Sequence, residues 1–575
     1  MKLRRAILEL VAVLIVLAIG VGLRVAWPSR MAVEHFDEGV YASNLYSPLT
    51  GDRYPDQHLY APPLLPWLLE WSTVFFGPGG AMWVNVFAGS VTLAVVWGLV
   101  RSWWGPAAAG AALVLLAFNE FHVAYSRAAL TDALLCLWLT AGVWTGWRAV
   151  VRGGWGNLLI AGGFAALAWW TKYNGWLTLA ITGAGTGGWL VAERWLRPGP
   201  RSAALAESSP EAGRVLFRWL ATAAIAFAAW SPWLIRLQDH GGYAAVARNH
   251  AGYFSGPGEW GANAARQLGA LLLQLGWSGS LLLPLATLAA AALLAAGLAG
   301  AAGTRGAEPA ARDDRGARSA AVWFSLAWLI GLSVAVPLYR PYPRLMLPWV
   351  VAGAVAGGGL VAAVVTRRGR RSVVGSGGSN PASDAERPSS AGRLETGLVA
   401  AGLALCAVVG VWRPTSATGR ADGIGRTPTA WQDRTSLQRV ADEALARLAD
   451  EPLAGTFEGY RAAVYVVAEP GLYFHLASKE RDSSVGHLTQ AASDFGMAEP
   501  GGHRAPIPAY VLAGPHADHA EAERFQATGA LELLAEFEDR PSDLVLLDDR
   551  PAAEVARGAG GVQRIRLFHV KATGR

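Results

Sequence analysis

Acidic residues that could exchange protons follow the first apolar segment of the chain. The sequence His35-Phe36-Asp37-Glu38 comes shortly after the apolar run Ala6–Trp27. One carboxylate of such a pair can take a proton from a hydroxyl while its neighbour orients that hydroxyl or holds a cation. A solvated loop is also often acidic, so composition alone favours neither interpretation. Asp37 and Glu38 are therefore candidate catalytic residues, and candidate ligands of a divalent cation if one is present.

Four basic residues stand at the ends of apolar segments, on the same predicted side as Asp37: Arg127, Lys172, Arg340 and Arg344. A basic residue at such a boundary can be a membrane anchor. However, positive charges concentrate on the cytoplasmic side of membrane proteins, so basic residues on the other side need a partner. Phosphate suits both guanidinium and ammonium groups. We therefore predict that these four residues bind the phosphate of a substrate.

Asp132 lies about one turn inside an otherwise apolar helix that begins near Ala129. An ionisable group in that position costs a few kcal/mol and usually marks a functional site. Two structural explanations stay open, namely an ion pair between Arg127 and Asp132, and an acid favoured by the positive end of the helix dipole. We expect Asp132 to support the site.

The elements that position these residues are membrane helices. The 575 residues are 53% hydrophobic and 16% charged, and include 26 tryptophans, whereas soluble domains are roughly 25% charged. At roughly 20 apolar residues for each crossing, the sequence predicts about eleven transmembrane helices. The predicted segments are Ala6–Trp27, Ala81–Val100, Pro106–Phe118, Ala129–Val150, Leu158–Trp170, Trp176–Val191, Val215–Ile235, Leu268–Leu298, Ala320–Leu338, Leu345–Val365 and Leu398–Trp412.

Charge predicts the orientation. Arginine-rich loops alternate along the chain and share a side with the basic N-terminus, which places that side in the cytoplasm. The large first loop and everything after residue 412 then lie outside. The net charge of +6 is explained by these loops, so no nucleic-acid partner is expected. We predict an α-helical polytopic membrane protein of the cell (inner) membrane whose active site faces away from the cytoplasm.

The chain divides into a membrane-embedded part, residues 1–412, and a soluble part, residues 413–575. In the soluble part, the apolar residues between Leu437 and Leu448 have helical spacing. The runs Val464–Val467, Tyr510–Leu512 and Leu544–Leu547 are typical of buried strands. The sequence therefore predicts a small α/β domain outside the membrane.

These motifs resemble those of a known family. The acidic pair after the first helix and the segment Pro62-Pro63-Leu64 occur in the family's order. The Arg127–Asp132 opening of a helix, Thr171-Lys172 and the Arg344–Pro348 spacing follow in the same order. The chain resembles the polyprenyl-phosphate-sugar-dependent glycosyltransferases of the C superfamily, with the protein O-mannosyltransferases and the lipid A aminoarabinose transferase as the nearest types.

The resemblance implies an enzyme that uses a polyprenyl-phosphate sugar as donor and a lipid, a glycan or a protein as acceptor. Asp37 corresponds to the first acid of the family's loop motif and Glu38 to the second. This chain departs from the aminoarabinose enzymes in having Tyr60-Ala61 where they usually have Glu-Lys. Tyr60 and the nearby His58 are therefore the supporting candidates in that segment.

The expected reaction is an inverting displacement. Asp37 would deprotonate the acceptor hydroxyl, and the basic residues would stabilise the departing lipid phosphate. A divalent cation could assist, and no other cofactor is expected. The alternative is a transporter or flippase for a lipid-linked or sugar substrate. Such proteins more typically show paired repeats and charges near the bilayer midplane, whereas these charges gather at one boundary.

Overall fold

In a computed structural model, the described part of the protein comprises residues 2–43, 57–195, 209–274, 285–295, 297, 309–374, 429–450, 462–483, 486–491, 495, 508–556 and 561–571. Helices dominate as far as residue 374, and a mixed α/β part follows.

Sixteen helices are described in the first part. They are α1 (Lys2–Val25), α2 (Phe36–Ala42), α3 (Gln57–Tyr60), α4 (Leu64–Phe76), α5 (Gly80–Trp104), α6 (Pro106–Ala117), α7 (Glu120–Ser126), α8 (Thr131–Arg152), α9 (Trp155–Thr171), α10 (Leu177–Trp195), α11 (Ser209–Gln238), α12 (Gly242–Ala251), α13 (Trp260–Gln274), α14 (Leu285–Ala295), α15 (Pro309–Ala335) and α16 (Leu347–Val374). The helix α8 is buried over most of its length. It therefore lies at the centre of the bundle, and the elements around it cover it.

The protein is a multi-pass membrane protein. Six described helices are long and apolar enough to cross a bilayer, and a seventh span results if α6 and α7, bent by 63° to each other, are counted together. The prediction of about eleven crossings remains a prediction. Its segment Leu398–Trp412 lies outside the described residues, as does part of Leu268–Leu298. The segment after Pro63 forms α4, which at 13 residues is shorter than a crossing.

The C-terminal part contains a five-stranded mixed sheet in the order β2-β1-β3-β5-β4. Its elements are α17 (Ser436–Ala449), β1 (Ala462–Val467), α18 (Pro470–Ser483), β2 (Gly486–Ala491), β3 (Ala509–Ala513), α19 (His519–Ala527), β4 (Leu531–Asp539), α20 (Asp543–Asp549), α21 (Ala552–Ala556) and β5 (Gln563–Val570). β1 pairs in parallel with β2 and β3, while β5 is antiparallel to β3 and β4. The domain boundary predicted at residue 412 falls outside the described residues.

Two of the three predicted strands form, as β1 and β3, and the third prediction is wrong. The run Leu544–Leu547 belongs to the helix α20. A short apolar run does not distinguish a buried strand from a buried helix. Here Leu544 and Leu547 are both buried and stand three residues apart, which puts them on one helical face. Ser542 precedes the helix in extended conformation as its N-cap.

The C-terminal part docks directly on the loop that follows α1. At Gly39 in α2, an added Cβ would lie 2.2 Å from the backbone nitrogen of Gly471 at the start of α18. Only a residue without a side chain permits that approach. The ring of His475 in α18 also contacts the carbonyl of Val33 at 2.7 Å. These contacts place residues of the two parts side by side at the predicted site.

Candidate active site

A capped helix holds the acidic pair. The Nδ1 atom of His35 accepts a hydrogen bond from the backbone N–H of Asp37 at 3.1 Å. In return, the Glu38 carboxylate accepts the backbone N–H of His35 at 2.8 Å, which completes a capping box. Neighbouring residues of a helix point about 100° apart. The two acids therefore enter different surroundings.

Asp37 faces a guanidinium group. Its Oδ2 atom lies 2.6 Å from Nη1 of Arg344, and the two side chains keep 17% and 15% exposure. Arg344 stands in a 3₁₀ turn, Pro343–Met346, just before α16. Its Nε atom also lies 3.4 Å from Oδ2 of Asp548. One arginine thus serves two carboxylates from opposite ends of the chain.

A second ion pair joins Lys172 and Asp132. The Lys172 Nζ atom lies 2.7 Å from Oδ1 of Asp132, with 20% exposure for the lysine side chain and 2% for the aspartate. Lys172 follows the last residue of α9, and Asp132 lies in the first turn of α8. Asp132 therefore pairs with Lys172. The alternative pairing of Asp132 with Arg127, kept open by the sequence, is wrong.

The two pairs are neighbours, and we call Asp37, Asp132, Lys172 and Arg344 the outer cluster. Burial raises the pKa of Asp37, but the charge of Arg344 and its hydrogen bond to Asp37 outweigh burial and bring that pKa below its ordinary value. The charge of Lys172 acts in the same direction. Asp37 is therefore a carboxylate at neutral pH, next to two cations.

Glu38 has a different environment. It is fully buried, and its oxygens accept hydrogen bonds from four donors: the backbone N–H groups of Glu34, His35 and Ala129, and Nη2 of Arg434. Burial raises the pKa of Glu38, and the adjacent Arg434 together with the N–H donors brings it below its ordinary value. The sequence expectation that Glu38 takes part in the chemistry is not supported by this placement. Its contacts instead join the first loop to the start of α8.

Arg434 is the centre of this second network. Its Nε atom lies 3.0 Å from Oε2 of Glu34, and its Nη1 donates to the carbonyl of Arg127 at 2.8 Å. Ser542 completes the arrangement by donating both its N–H, at 2.6 Å, and its hydroxyl, at 2.5 Å, to Glu34. We call Glu34, Glu38, Arg434 and Ser542 the clasp. It ties the C-terminal part to the loop that carries Asp37.

The residues suggested as metal ligands do not fit a metal ion. The described ranges contain no group of three or more His, Cys, Asp or Glu side chains arranged to hold one. Of the suggested pair, Glu38 directs both oxygens at hydrogen-bond donors, and Asp37 directs Oδ2 at Arg344.

Arg127 does not join the outer cluster, contrary to the prediction. Its guanidinium is buried and donates to the carbonyls of Arg24 and Ala26 at 2.8 and 2.5 Å. The last carbonyls of a helix have no partner within it. Arg127 supplies that partner for α1, so its charge is used to fix the helix that precedes the Asp37 loop.

Arg340 lies outside the outer cluster too. Its guanidinium stands over the ring of Tyr253, 5.9 Å from the centroid. It lines a polar cleft of about 550 Å³ between the outer loops and α20–α21, whose wall also contains Arg266, Asp548 and Arg550. The cleft therefore reaches Asp548, which contacts Arg344. Arg340 stands at the approach to the outer cluster.

His58 and Tyr60, the supporting candidates of the first loop, both lie in α3 and contact different neighbours. The carbonyl of His58 accepts the hydroxyl of Tyr173 at 2.5 Å, and its ring lies 4.6 Å from the ring of His240. The ring of Tyr60 lies 6.3 Å from that of Phe36 in α2. Tyr60 is thus beside the helix that carries Asp37, whereas His58 contacts residues that follow α9 and α11.

Sequence reasoning missed Arg434 and Asp548. Nothing in the residues around Arg434 distinguishes it from the other arginines of the soluble part. Asp548 does have a signal, because it directly follows Leu547 at the end of an apolar run. Interpreting that run as a strand hid the fact that a helix would present Asp548 at its end.

Comparison with known proteins agrees with this architecture. The family described as dolichyl-phosphate-mannose-protein mannosyltransferase matches residues 60–206. That segment contains Asp132 and Lys172 of the outer cluster. A search of curated protein sequences finds no match.

The solved structures that are similar to this chain include ArnT and an archaeal oligosaccharyltransferase. The crystal structure of ArnT from Cupriavidus metallidurans bound to undecaprenyl phosphate aligns with 100% of this chain and 99% of its own, with a TM-score of 0.54 and 15% identity. The oligosaccharyltransferase AglB from Archaeoglobus fulgidus, in complex with an inhibitory peptide and a dolichol-phosphate, aligns with 89% of this chain and 70% of its own. Its TM-score is 0.49 and its identity 13%. The predicted resemblance to the polyprenyl-phosphate-sugar-dependent glycosyltransferases of the C superfamily is confirmed, and the chain has the fold of ArnT.

Proposed function

We propose that this protein transfers a sugar from a polyprenyl-phosphate donor to an acceptor hydroxyl at the outer face of the membrane. The observation that carries the proposal is the outer cluster, in which a carboxylate that is ionised at neutral pH lies beside two cations. A base and a phosphate site are the two parts that such a transfer needs. The ArnT structure that shares this fold is bound to undecaprenyl phosphate, which is a lipid of the required class.

The donor phosphate would engage Arg344 and Lys172. Both side chains keep some exposure, unlike those of the clasp. A phosphate that takes up part of the Arg344 charge weakens the ion pair with Asp37. Because that ion pair lowers the pKa of Asp37, donor binding makes Asp37 a stronger base. Substrate binding thus prepares the proton acceptor.

The displacement then proceeds in one step. The acceptor oxygen forms a bond to the anomeric carbon, its proton passes to Asp37, and the bond from that carbon to the phosphate oxygen breaks. The phosphate leaves with the electron pair, and its developing charge is stabilised by Arg344 and Lys172. A single displacement inverts the anomeric configuration. A retaining reaction would need a second carboxylate free to attack the sugar. Asp132 and Asp548 are more deeply buried than Asp37, with 2% and 7% exposure against 17%.

The decisive experiment is mass spectrometry of lipid-linked and surface glycans from cells with and without the gene, followed by transfer assays with the purified full-length protein in nanodiscs. We expect loss of one glycan modification and accumulation of its polyprenyl-phosphate donor. In the assay, the donor is consumed and the sugar appears on the acceptor. A flippase would move the lipid-linked sugar without breaking its phosphate–sugar bond, and that result would reject the transferase.

We also propose that the outer cluster lies on the extracytoplasmic side of the inner membrane. Labelling of single cysteines with a membrane-impermeant reagent tests this topology. Cysteines at two exposed positions should react in intact cells: position 239, in the turn after α11, and position 549, beside Asp548. A cysteine at position 152, at the end of α8, should react only after the membrane is opened. Labelling of the first two on opposite sides would reject the proposed topology.

A further inference from the structure

We propose that Asp548, supplied by α20 of the C-terminal part, is a positioning residue of the transfer reaction: it holds His35 and shares Arg344 with Asp37. This inference rests on the proposed function. Asp548 contacts both of these residues through Oδ2, at 2.9 Å from Nε2 of His35 and 3.4 Å from Nε of Arg344. Its side chain is 7% exposed, so both contacts are shielded from water.

The contact with His35 acts on the position of Asp37. A neutral imidazole carries one proton, and the nitrogen without it accepts hydrogen bonds. Nδ1 of His35 accepts the N–H of Asp37, so the proton resides on Nε2, which donates to Asp548. The carboxylate thereby fixes the tautomer that caps α2. Without Asp548, the ring loses the partner that orients it, and the start of α2 loses a fixed cap.

The contact with Arg344 acts on the charge of Asp37. An arginine that faces one carboxylate alone holds that group strongly in its ionised form, which makes it a poor base. Here the same guanidinium also faces Asp548, and the second negative charge opposes this effect. Asp548 therefore keeps Asp37 basic enough to accept a proton. It also gives Arg344 a second partner when a donor phosphate draws it from Asp37.

Asp548→Asn tests both routes, because the amide keeps the size of the side chain and removes its charge. We expect kcat to fall about ten- to a hundredfold, as is typical when a group that orients a reacting residue is lost. We expect KM for the donor to stay the same or to decrease, because one competitor for Arg344 has gone. The acidic limb of the kcat/KM profile should move to lower pH, since Asp37 then feels more of the arginine charge.

A matched control is Asp442→Asn. Asp442 lies in the same part of the chain and also forms an ion pair, with Lys479, but it is 60% exposed. We expect it to leave kcat, KM and the pH profile unchanged. If Asp548→Asn reduces folding, Asp548→Glu replaces it, because the charge is retained while the contact distances change. That variant should lower kcat and leave the acidic limb in place.

Three results would overturn the proposal: an Asp548→Asn enzyme as active as the wild type, an increase in donor KM at unchanged kcat, or an acidic limb that does not move. A separate binding measurement needs no turnover. With undecaprenyl phosphate as the probe, Asp548→Asn should bind at least as tightly as the wild type, and weaker binding would count against a shared arginine. If the wild type transfers no sugar, the proposed function has failed, and this binding result still decides whether Asp548 competes for Arg344.

Discussion

The outer cluster and the clasp are two networks of charges on one short loop, and they differ in how fully each charge is satisfied. In the clasp, Glu38 receives four hydrogen bonds and Arg434 binds two carboxylates and a carbonyl. In the outer cluster, the ion pairs are single contacts and the side chains of Asp37, Arg344 and Lys172 keep 15–20% exposure.

From that difference we infer that the clasp holds the structure together and that the outer cluster takes part in the reaction. A buried charge with a complete set of partners is costly to move and gives no free atom to a substrate. A charge that keeps some exposure can exchange its partner for a substrate group. We therefore propose different functions for two neighbouring carboxylates: Asp37 takes part in the reaction, and Glu38 holds the loop. The predictions below test this division.

The largest effect is expected for Asp37→Asn. The amide is close in shape but cannot accept the proton, so transfer should fall by about 10²–10⁴-fold, as is typical for loss of a general base. The measurement is the single-turnover rate with purified polyprenyl-phosphate sugar, and thermal unfolding should match that of the wild type. Near-normal turnover would place the base elsewhere and remove the functional distinction between the two networks.

Arg434→Met should act on folding instead. It leaves Glu34 and Glu38 buried without their cation, and loss of one partner of a buried ion pair typically costs about 3–5 kcal/mol. We expect a large decrease in thermal stability and rapid proteolysis after residue 374. Arg540→Met is the control, because Arg540 and its partner Glu538 are both exposed, and such pairs contribute about 1 kcal/mol or less. Equal stability of the two variants would contradict the scaffold function of the clasp.

A smaller effect is expected for Lys172→Gln and Arg344→Gln. Each should weaken donor use by one charge-assisted hydrogen bond, about 1.5–3 kcal/mol, which is roughly ten- to a hundredfold. Arg344→Lys should also be impaired if the guanidinium binds two phosphate oxygens. The measurement is the rate of transfer as donor concentration is varied.

Two controls accompany these variants. Lys172→Gln leaves Asp132 buried without its cation, so the double variant with Asp132→Asn separates lost stability from lost phosphate binding. Arg101→Gln removes a half-exposed arginine at the end of α5, which pairs with Glu9. It should have no effect on donor use. Unchanged donor dependence in both Lys172→Gln and Arg344→Gln would show that these residues are membrane anchors.

A final prediction concerns the pH dependence of stability, at a residue next to the clasp. Burial raises the pKa of Asp539, at the end of β4, to about 7, whereas an unfolded aspartate has a pKa of about 3.9. The folded state thus binds the proton more tightly. The bound proton therefore stabilises the folded state. This stabilisation is complete below pH ~4 and is lost as pH rises to about 7, and the free energy of unfolding changes by at most about 1.4 kcal/mol per pH unit. Thermal unfolding between these pH values should show the slope, and Asp539→Asn should reduce it. A slope unchanged in that variant would assign the effect to another group.

Much of the bundle and of the outer cluster can be predicted from sequence, because the patterns that indicate them lie within short stretches of the chain. The bundle follows from apolar runs. Asp37 stands out as part of an acidic pair after the first apolar run, and Lys172 and Arg344 stand out because their charges contradict the positive-inside pattern. The structure brings those three together with Asp132. The same pattern also selected Arg127 and Arg340. It has no information on a carbonyl that fixes Arg127 or an aromatic ring beneath Arg340, since both contacts depend on helix packing.

The remaining residues of the site could not be found in this way. Arg434 and Asp548 act across about 400 and 510 positions of chain, and no spacing rule joins residues so far apart. Glu38 shows the converse limit of sequence reasoning. Its type and position next to Asp37 indicated chemistry, and only the four donors around it reveal that it holds the loop.

The contact between His35 and Asp548 also has a consequence for the order of synthesis. The two residues are 513 positions apart, so the ribosome has inserted every helix of the bundle before Asp548 is made. Until then, His35 lacks its partner Asp548. Ser542, which completes the clasp, is itself made only shortly before Asp548. A nascent or truncated chain would therefore occupy the membrane with its site unassembled, and activity would begin only in a chain that has been translated as far as α20.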